Sequence, residues 1–509
     1  MKPVFIQSSL HLSKKNTPDW KWVTEYLKFP VPSYERLLSS KLAEYWELAG
    51  QKRALEIFHT AANRVPAYKD FLKKHRISAE KIKSIEDFAF VPPTDKINYI
   101  QAYPIAARSL QGKITFAKII AASSGTSGSP NYWPRNTYQE FEAAITHELL
   151  YRTLFSLHTR STLFIIGFPM GVYVSGIATA LPSWLVTQKY NATIATAGNN
   201  KTEILKLVKT LGKNFDQTIL IGHPFFLKDV LETGTAEGII WKDYNPGLLF
   251  CSEGFSEAWR EYVLAEAGIA DCRAFNTYGS SEFLLMAYET PESIRIRKLM
   301  ETNPSLLLAL TGDKVTPNIF QYNPTLRYME TLEHELICTA AAGIPLVRFN
   351  MHDNGSIISP AAIPAETQQY PKHKSMATAW QLPYVTVTGR SDYALVFYAA
   401  NIYPQHIHIA LHHRDLFKKI TGKFTLTKGY TRTMEEYLEI HIELKPNTKN
   451  SKKLSQFLTH RITQTLLDMN AEYLFLQQNL HADLTPRVKL WEYHHDRYFK
   501  QGLKPKYIQ

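Results

Sequence analysis

The sequence has few cysteines, and they form no functional pattern. Its 509 residues include only three, Cys251, Cys272 and Cys338, and these make neither a CxxC pair nor a disulfide ladder. Isolated cysteines are typical of a reducing compartment, where the thiol is a small buried apolar group. We therefore expect a cytoplasmic protein without disulfides.

Long hydrophobic runs are also missing. The first residues, "MKPVFIQSSLHLSKK", have too short an apolar core for a signal peptide. Residues 163–186 are the most apolar stretch, but Pro169, Gly171, Gly176 and Pro182 interrupt it. A spanning helix needs about 20 uninterrupted apolar residues. We predict no membrane span and interpret this stretch as buried strand, loop and helix.

No basic block exceeds two or three consecutive residues, although the net charge is +12. Residues 393–509 contain 17 Lys/Arg against 10 Asp/Glu. This excess fits either a solvated basic surface or a C-terminal unit that faces phosphates. No nucleic-acid motif accompanies it, so we expect no nucleic-acid partner.

Hydrophobic residues make up 45% of the chain, enough for a packed core. Helical spacing predicts helices over residues 35–100, whereas residues 114–250 alternate short apolar runs with helical segments. That alternation predicts an α/β fold with a mostly parallel sheet. A smaller strand-rich region follows over 306–360, and a compact C-terminal unit begins at about residue 390.

A loop rich in Ser, Thr and Gly, "SSGTSGSP" at residues 123–130, follows a predicted strand and precedes a predicted helix. Glycines, hydroxyls and a helix N-terminus together favour phosphate binding. The loop is neither a Walker loop nor a GxSxG elbow. Its composition alone leaves open a flexible surface loop.

Four later segments give this loop its context: "NTYGSSEF" (276–283), "PLVRFNMHD" (345–353), "TGRSDY" (388–393) and "GLKPKYI" (502–508). In this order they resemble the adenylate-forming superfamily of acyl-CoA synthetases and ligases, and most of all its phenylacetate–CoA ligase branch. The resemblance implies an α/β N-terminal adenylation domain (1–389), built of two α/β subdomains and a small β-rich one. A small, mobile α+β C-terminal lid (390–509) would follow.

The resemblance also implies a reaction in two steps. A carboxylate attacks the α-phosphate of ATP and releases pyrophosphate, and a thiol then captures the acyl-adenylate. The implied cofactors are ATP, Mg²⁺ and coenzyme A, and the implied partner is a small carboxylic acid. Three alternatives stay open: an acyl carrier protein as acceptor, an amine as acceptor, or a degenerate protein that only binds the nucleotide.

In this resemblance the loop would wrap the leaving phosphates. Relatives often carry a lysine just after the loop's proline, where this chain has Asn131 and Tyr132. Either Arg135 or the basic lid would supply the missing charge, or the loop would hold ATP more weakly than in relatives. The loop residues assigned to phosphate are Ser123, Ser124, Gly125, Thr126, Ser127 and Gly128.

The other motifs carry over residue by residue. Glu282 would coordinate Mg²⁺ as a hard oxygen ligand, Ser281 would contact the α-phosphate, and Tyr278 would stack near adenine, with Gly279 and Ser280 beside it. Asp353 would accept both ribose hydroxyls, although His352 replaces the glycine that precedes it in relatives. The remaining nucleotide contacts would come from Arg390 and from an adenine-side loop, Ser252, Glu253 and Gly254.

The lid would supply a catalytic lysine, which we assign to Lys504, with Lys506 and Lys489 as alternatives. Asp392 stands at the family's interdomain hinge, and Ala399 replaces a glycine of the lid loop. Phe168, Tyr173 and Phe283 lie near the expected acid site and favour an aromatic or medium apolar acid. His408 and His412 have metal-pair spacing but no supporting ligand, so we interpret them as surface or partly buried residues.

Overall fold

The computed structural model describes residues 21–123, 131–270, 273–341, 343–363, 380–390, 394–398, 400–431, 436–479, 483–499 and 507–508. Within these ranges the predicted mixed α/β class is confirmed, with a larger N-terminal and a smaller C-terminal part. No helix of these ranges combines the length and the apolarity that a membrane crossing requires.

The N-terminal segment is helical, as its residue spacing predicts. In the longest of its helices the buried positions recur every three or four residues from Trp46 to Ala62, so that one face packs on the core. A capping box between Ser84 and Asp87 begins a shorter helix. The helices of this segment are α1 (Lys21–Lys28), α2 (Val31–Ser40), α3 (Ala43–Arg64), α4 (Pro66–Lys74), α5 (Ile85–Ala89) and α6 (Ile105–Arg108), with a π-helical turn at Lys96–Gln101.

A short hairpin and a large sheet follow. The hairpin pairs β1 (Ile119–Ala122) with β2 (Tyr132–Arg135) and stays separate from the large sheet. The large sheet has nine strands in the order β13-β14-β9-β8-β7-β6-β5-β3-β4; β4, β3, β5, β6 and β7 are parallel, and the others are antiparallel. Its strands are β3 (Thr162–Ile166), β4 (Ala192–Ala195), β5 (Gln217–Gly222), β6 (Pro246–Cys251), β7 (Arg273–Ser280), β8 (Leu284–Tyr288), β9 (Asn318–Tyr322), β13 (Ile357–Ile358) and β14 (Tyr384–Val387).

Helices cover this sheet, whose inner strands are buried and mostly apolar. β3 and β5 are fully buried along their length, as parallel strands between helix layers usually are. The helices are α7 (Thr137–Phe155), α8 (Val174–Thr187), α9 (Lys201–Leu211), α10 (Pro224–Ala236), α11 (Glu257–Glu266), α12 (Pro291–Thr302) and α13 (Pro304–Thr311), with 3₁₀ turns at Leu110–Gly112, Ile114–Phe116, Gly212–Asn214, Trp241–Tyr244 and Pro360–Ala362.

A second sheet of four antiparallel strands forms the predicted strand-rich region. It contains β10 (Tyr328–Leu332), β11 (Glu335–Ala340), β12 (Leu346–Asn354) and β15 (Gly389–Arg390), in that order. The N-terminal segment is attached to β12, because Thr94 N–H donates to Arg348 O and Asn350 N–H donates to Thr94 O. This attachment places the Lys96 turn beside the sheet.

The C-terminal elements surround a hydrophobic cluster made of residues between 395 and 508. β18 (Ile420–Tyr430), β19 (Glu436–Leu444) and β20 (Arg487–Trp491) form a sheet, and β16 (Leu395–Phe397) pairs with β17 (Ala400–Ile402). The helices are α14 (Pro404–Leu411), α15 (Arg414–Phe417), α16 (Lys452–Met469) and α17 (Ala471–Asn479). The domain boundary at about residue 390 stays a prediction.

Candidate nucleotide site

The base of the Ser/Thr/Gly loop is closed by hydrogen bonds between its two ends. Ser123 N–H donates to Asn131 O at 3.0 Å, and Asn131 N–H donates to Ser123 Oγ at 3.0 Å. Asn131 therefore helps to close the loop, at the place where relatives often carry a lysine. The other five residues assigned to phosphate, Ser124 to Gly128, lie outside the described residues.

Arg135, one of the candidates for the missing charge, is engaged in a buried ion pair, which argues against that role. Its side chain is only 1% exposed, and its Nη2 lies 2.7 Å from Glu140 Oε1 in the first turn of α7. Burial lowers the pKa of Arg135 and raises that of Glu140, while the charge of each partner offsets part of the shift. The ion pair is internal to the fold and turned away from solvent.

Lys96 is the cation that sequence reasoning missed. Its Nζ lies 4.0 Å from Glu282 Oε1, and its side chain is about one-third exposed. Asp95 caps the turn that carries it, since the Asp95 carboxylate accepts hydrogen bonds from Ile97 N–H and Asn98 N–H at 2.6 Å. Lys96 precedes the glutamate by 186 residues, and no residue spacing links the two.

The "YGSSE" motif lies where β7 ends and turns into β8. Gly279 has no room for a side chain, because a Cβ would sit 2.6 Å from Leu284 O. Ser280 Oγ accepts a hydrogen bond from Phe283 N–H at 3.2 Å, which tightens the turn. Ser281 is half-buried, and Glu282 is 8% exposed. The turn thus holds Glu282 close to Lys96.

Asp353 lies near the end of β12 and is 9% exposed. Tyr278 OH donates a hydrogen bond to its Oδ2 at 2.6 Å. In the backbone register Asp353 is opposite Arg390 of β15. The structure therefore brings the predicted ribose carboxylate to the predicted adenine-side tyrosine, across the gap between the two sheets.

His352 adopts the backbone conformation that the glycine of relatives would favour, with φ of 56°. Its N–H donates to Asn350 Oδ1 at 2.8 Å, and its Nδ1 lies 3.4 Å from Glu335 Oε1. Histidine tolerates this left-handed region better than most residues. The turn before Asp353 therefore forms without a glycine.

The adenine-side loop follows β6, the neighbour of β7 in the sheet. Ser252 is exposed and has φ of 78°, which turns the chain at the strand's carboxyl end. Asn276 Nδ2 donates to Glu253 O at 3.0 Å. A Cβ on Gly254 would approach Asn318 Nδ2 to 2.2 Å, so a side chain there would require Asn318 to move. Ligands of open α/β sheets commonly bind at this edge.

The lid residues are only partly described. Lys504, Lys506, Asp392 and Ala399 lie outside the described residues. Lys489 lies on β20, where its side chain is 56% exposed and its Nζ is 3.9 Å from Glu439 Oε2. The identity of the catalytic lysine stays a prediction.

The aromatic residues predicted near the acid site do not form an open pocket together. Phe168 is 2% exposed and packs edge-on against His223, and Phe283 is fully buried against Phe349. Only Tyr173 is exposed, at 45%. Phe168 and Phe283 belong to the core, so they give no support for an aromatic or medium apolar acid, and the acid's class stays a prediction.

The residues present fit a magnesium ion that arrives with ATP. Mg²⁺ usually takes one or two carboxylates, with phosphates and waters as its other ligands, and Glu282 offers one such carboxylate. Across the described ranges no group of three His, Cys, Asp or Glu side chains forms a protein-only metal cage. His408 and His412 are half-buried, as predicted, and their ring centroids lie 5.6 Å apart.

Comparison with solved structures identifies proteins that share this fold. 2-Hydroxyisobutyryl-CoA ligase in the postadenylation state, in complex with R3-HIB-AMP, is 13% identical, with a TM-score of 0.65 over 93% of this chain and 91% of the ligase. The same ligase with 2-HIB-AMP and CoA, in the thioesterification state, is 14% identical, with a TM-score of 0.53 over 90% and 89%.

A third neighbour, AtGH3.15 acyl acid amido synthetase in complex with 2,4-DB, is 13% identical, with a TM-score of 0.58 over 91% and 89%. In sequence the chain matches no protein-family model and no curated protein. The chain has the fold of adenylate-forming enzymes, as the motifs predicted. The phenylacetate–CoA ligase branch stays a prediction.

Proposed function

We propose that the chain is a ligase that activates a carboxylic acid with ATP and transfers the acyl group to coenzyme A. The observation that carries the proposal is the hydrogen bond between Tyr278 of β7 and Asp353 of β12, with Glu282 in the turn that follows β7. Glu282 comes four residues after Tyr278. The adenine-side loop follows β6, the strand that pairs with β7.

In the first step the substrate's carboxylate oxygen would bond to the α-phosphorus, and the bond to the β-phosphate oxygen would break. Asp353 would hold the ribose hydroxyls, and Ser252 to Gly254 would line the adenine. Glu282 would hold Mg²⁺, and the ion would supply positive charge that offsets the charge of the phosphates. Lys96 would add positive charge beside it.

In the second step a thiolate would attack the acyl carbonyl, and AMP would leave. We propose Lys504 as the lid lysine of the reaction, with Lys506 and Lys489 behind it. The proteins that share this fold include both a CoA ligase and an acyl acid amido synthetase, so both kinds of acceptor are considered. Coenzyme A is the leading acceptor, and an amine or a carrier protein is the alternative.

Pyrophosphate release across a panel of carboxylic acids tests the proposal. The wild type should release pyrophosphate with at least one acid, and Glu282→Gln should lower the rate about a hundredfold or more, because its side chain ligates the metal less strongly. Glu237→Gln is the matched control, since this exposed glutamate just after α10 pairs with Lys209 of α9.

Adding free coenzyme A then separates the acceptors. A thioester in the product supports the CoA ligase, whereas turnover only with an amine or a carrier protein supports the alternative. If no acid of the panel supports pyrophosphate release although the protein binds ATP, the chain is a nucleotide-binding protein without this activity.

A further inference from the structure

We infer that a buried cluster of two arginines and two glutamates positions the adenine-side loop for the base of the nucleotide. The cluster consists of Arg260, Arg297, Glu257 and Glu289, all of them at most 6% exposed. The inference rests on the proposed function, because the contact of the loop with adenine is part of that proposal. It gives a role to four charges that no predicted motif or step of the reaction uses.

The charges of the cluster balance one another. Arg260 Nη2 lies 2.8 Å from Glu289 Oε1 and 2.9 Å from Glu257 Oε1, and Arg297 Nη1 lies 3.3 Å from Glu257 Oε1. Burial opposes charge on these groups, yet the arginines lower the pKa of Glu257 and the glutamates raise that of Arg260. Glu257 and Arg260 therefore stay ionised near neutral pH.

The cluster reaches the start of the loop through strand β7. Glu289 Oε2 accepts a hydrogen bond from Asn276 N–H at 2.6 Å. Arg260 Nη1 donates to Ala274 O, two residues earlier on the same strand, at 2.5 Å. The side chain of Asn276 in turn donates from Nδ2 to Glu253 O at 3.0 Å. The cluster thus fixes the strand whose asparagine holds one carbonyl group of the loop.

The chain just after the loop contacts the cluster directly. Arg297 Nη2 donates a hydrogen bond to Phe255 O, and a charged donor makes such a bond stronger than a neutral one. The Phe255 ring also lies against Arg260, whose guanidinium carbon is 5.0 Å from the ring centroid. Gly254 therefore lies between two residues whose carbonyl groups are held from the core.

Stability of the fold alone does not explain this arrangement. Apolar residues of similar volume often replace a buried ion cluster without loss of stability, but they could neither donate to Phe255 O nor accept from Asn276 N–H. A cluster that only stabilised the fold would affect the binding of every nucleotide alike. A cluster that positions the loop should affect mainly the nucleotides whose base the loop contacts.

Arg297→Lys tests this because it keeps a positive charge near Glu257 and removes the planar guanidinium that holds Phe255 O. AMP and UMP share ribose and phosphate and differ only in the base. We expect Kd for AMP and KM for ATP to rise about tenfold, the order for a hydrogen bond to a charged group, with kcat and Kd for UMP within about twofold of wild type. Arg295→Lys is the matched control, since Arg295 pairs with Glu292 on the same helix.

An equal loss with AMP and UMP, or no loss with either, would overturn the inference, and so would a wild type that binds both equally well. Phe255→Leu, which leaves all four charges in place and removes the ring beside Arg260, should give the same loss with AMP alone. Unfolding midpoints identify a variant that fails to fold, and the other variant then decides. If neither folds, the cluster serves the fold and the inference fails. A wild type that binds no nucleotide would instead refute the proposed function itself.

Discussion

A buried lysine between the N-terminal and C-terminal parts gives the sharpest test of the structure's electrostatics. Lys228 lies on α10 and is 3% exposed. Burial lowers its pKa from 10.5 to about 7. Charged groups from both parts of the chain act on this lysine. Glu232 and Asp229 raise its pKa, Lys445 lowers it further, and His412 is another basic group close by.

The contacts around Lys228 show why no single carboxylate neutralises it. Glu232, one turn along α10, accepts a hydrogen bond from Lys445 Nζ at 2.5 Å. Tyr493 OH and Lys201 Nζ both donate to Asp229, at 2.6 and 3.0 Å. Each of these two acids is thus bonded to a group other than Lys228. Among the described residues, no carboxylate pairs with Lys228 alone.

The magnitude follows from the pKa. A fall from 10.5 to about 7 corresponds to about 5 kcal/mol at 1.36 kcal/mol per pH unit. Below pH 7 the lysine is charged in both folded and unfolded chains, and the folded state carries the full cost. Between pH 7 and 10.5 the unfolded chain binds more protons, so the free energy of unfolding should rise by about 1.4 kcal/mol per pH unit.

Lys228→Met should remove this dependence. Between pH 7.5 and 9 the wild type should gain about 2 kcal/mol relative to the variant in urea unfolding. Lys209→Met, which removes an exposed lysine paired with Glu237, should follow the wild type. Parallel curves for wild type and Lys228→Met would show that Lys228 keeps its charge in the folded protein and would refute the reasoning.

Two further substitutions test the cations of the candidate site. Lys96→Met should raise KM for ATP or lower kcat about tenfold or more, because it removes positive charge beside Glu282. Unchanged KM and kcat in the pyrophosphate-release assay would contradict this. The control is Lys83→Met, which replaces an exposed lysine. Arg135→Met should lower the free energy of unfolding by about 3 to 5 kcal/mol, since it leaves Glu140 buried without its partner, while KM for ATP stays unchanged. A stable Arg135→Met protein with weakened ATP binding would restore Arg135 as a phosphate ligand.

The sequence predicted those features that depend on local patterns. The apolar run that became β5 and the helical spacing of α3 are each encoded within a few residues, and so are the motifs around Glu282 and Asp353. These local signals were sufficient for the α/β class, and they named Glu282, Tyr278 and Asp353 as candidates, whose roles stay predictions.

The sequence did not predict which distant groups meet. Arg135 looks available for phosphate by position, but folding buries it against Glu140. Phe168 and Phe283 likewise look like pocket residues beside their motifs, and both enter the core. Burial depends on packing among elements far apart in the chain, so neither residue spacing nor composition could show it.

Strand β12 explains how the site can assemble from such distant parts. Its carboxyl end carries Asp353, and earlier along the same strand the backbone of Arg348 and Asn350 holds Thr94. Thr94 Oγ1 also donates to Val347 O at 2.9 Å, and Lys96 follows two residues later. The predicted ribose carboxylate and the cation beside Glu282 are thus positioned by one strand. The N-terminal helical segment therefore supports the candidate site through Thr94, which is held on β12, and Lys96, which lies beside Glu282.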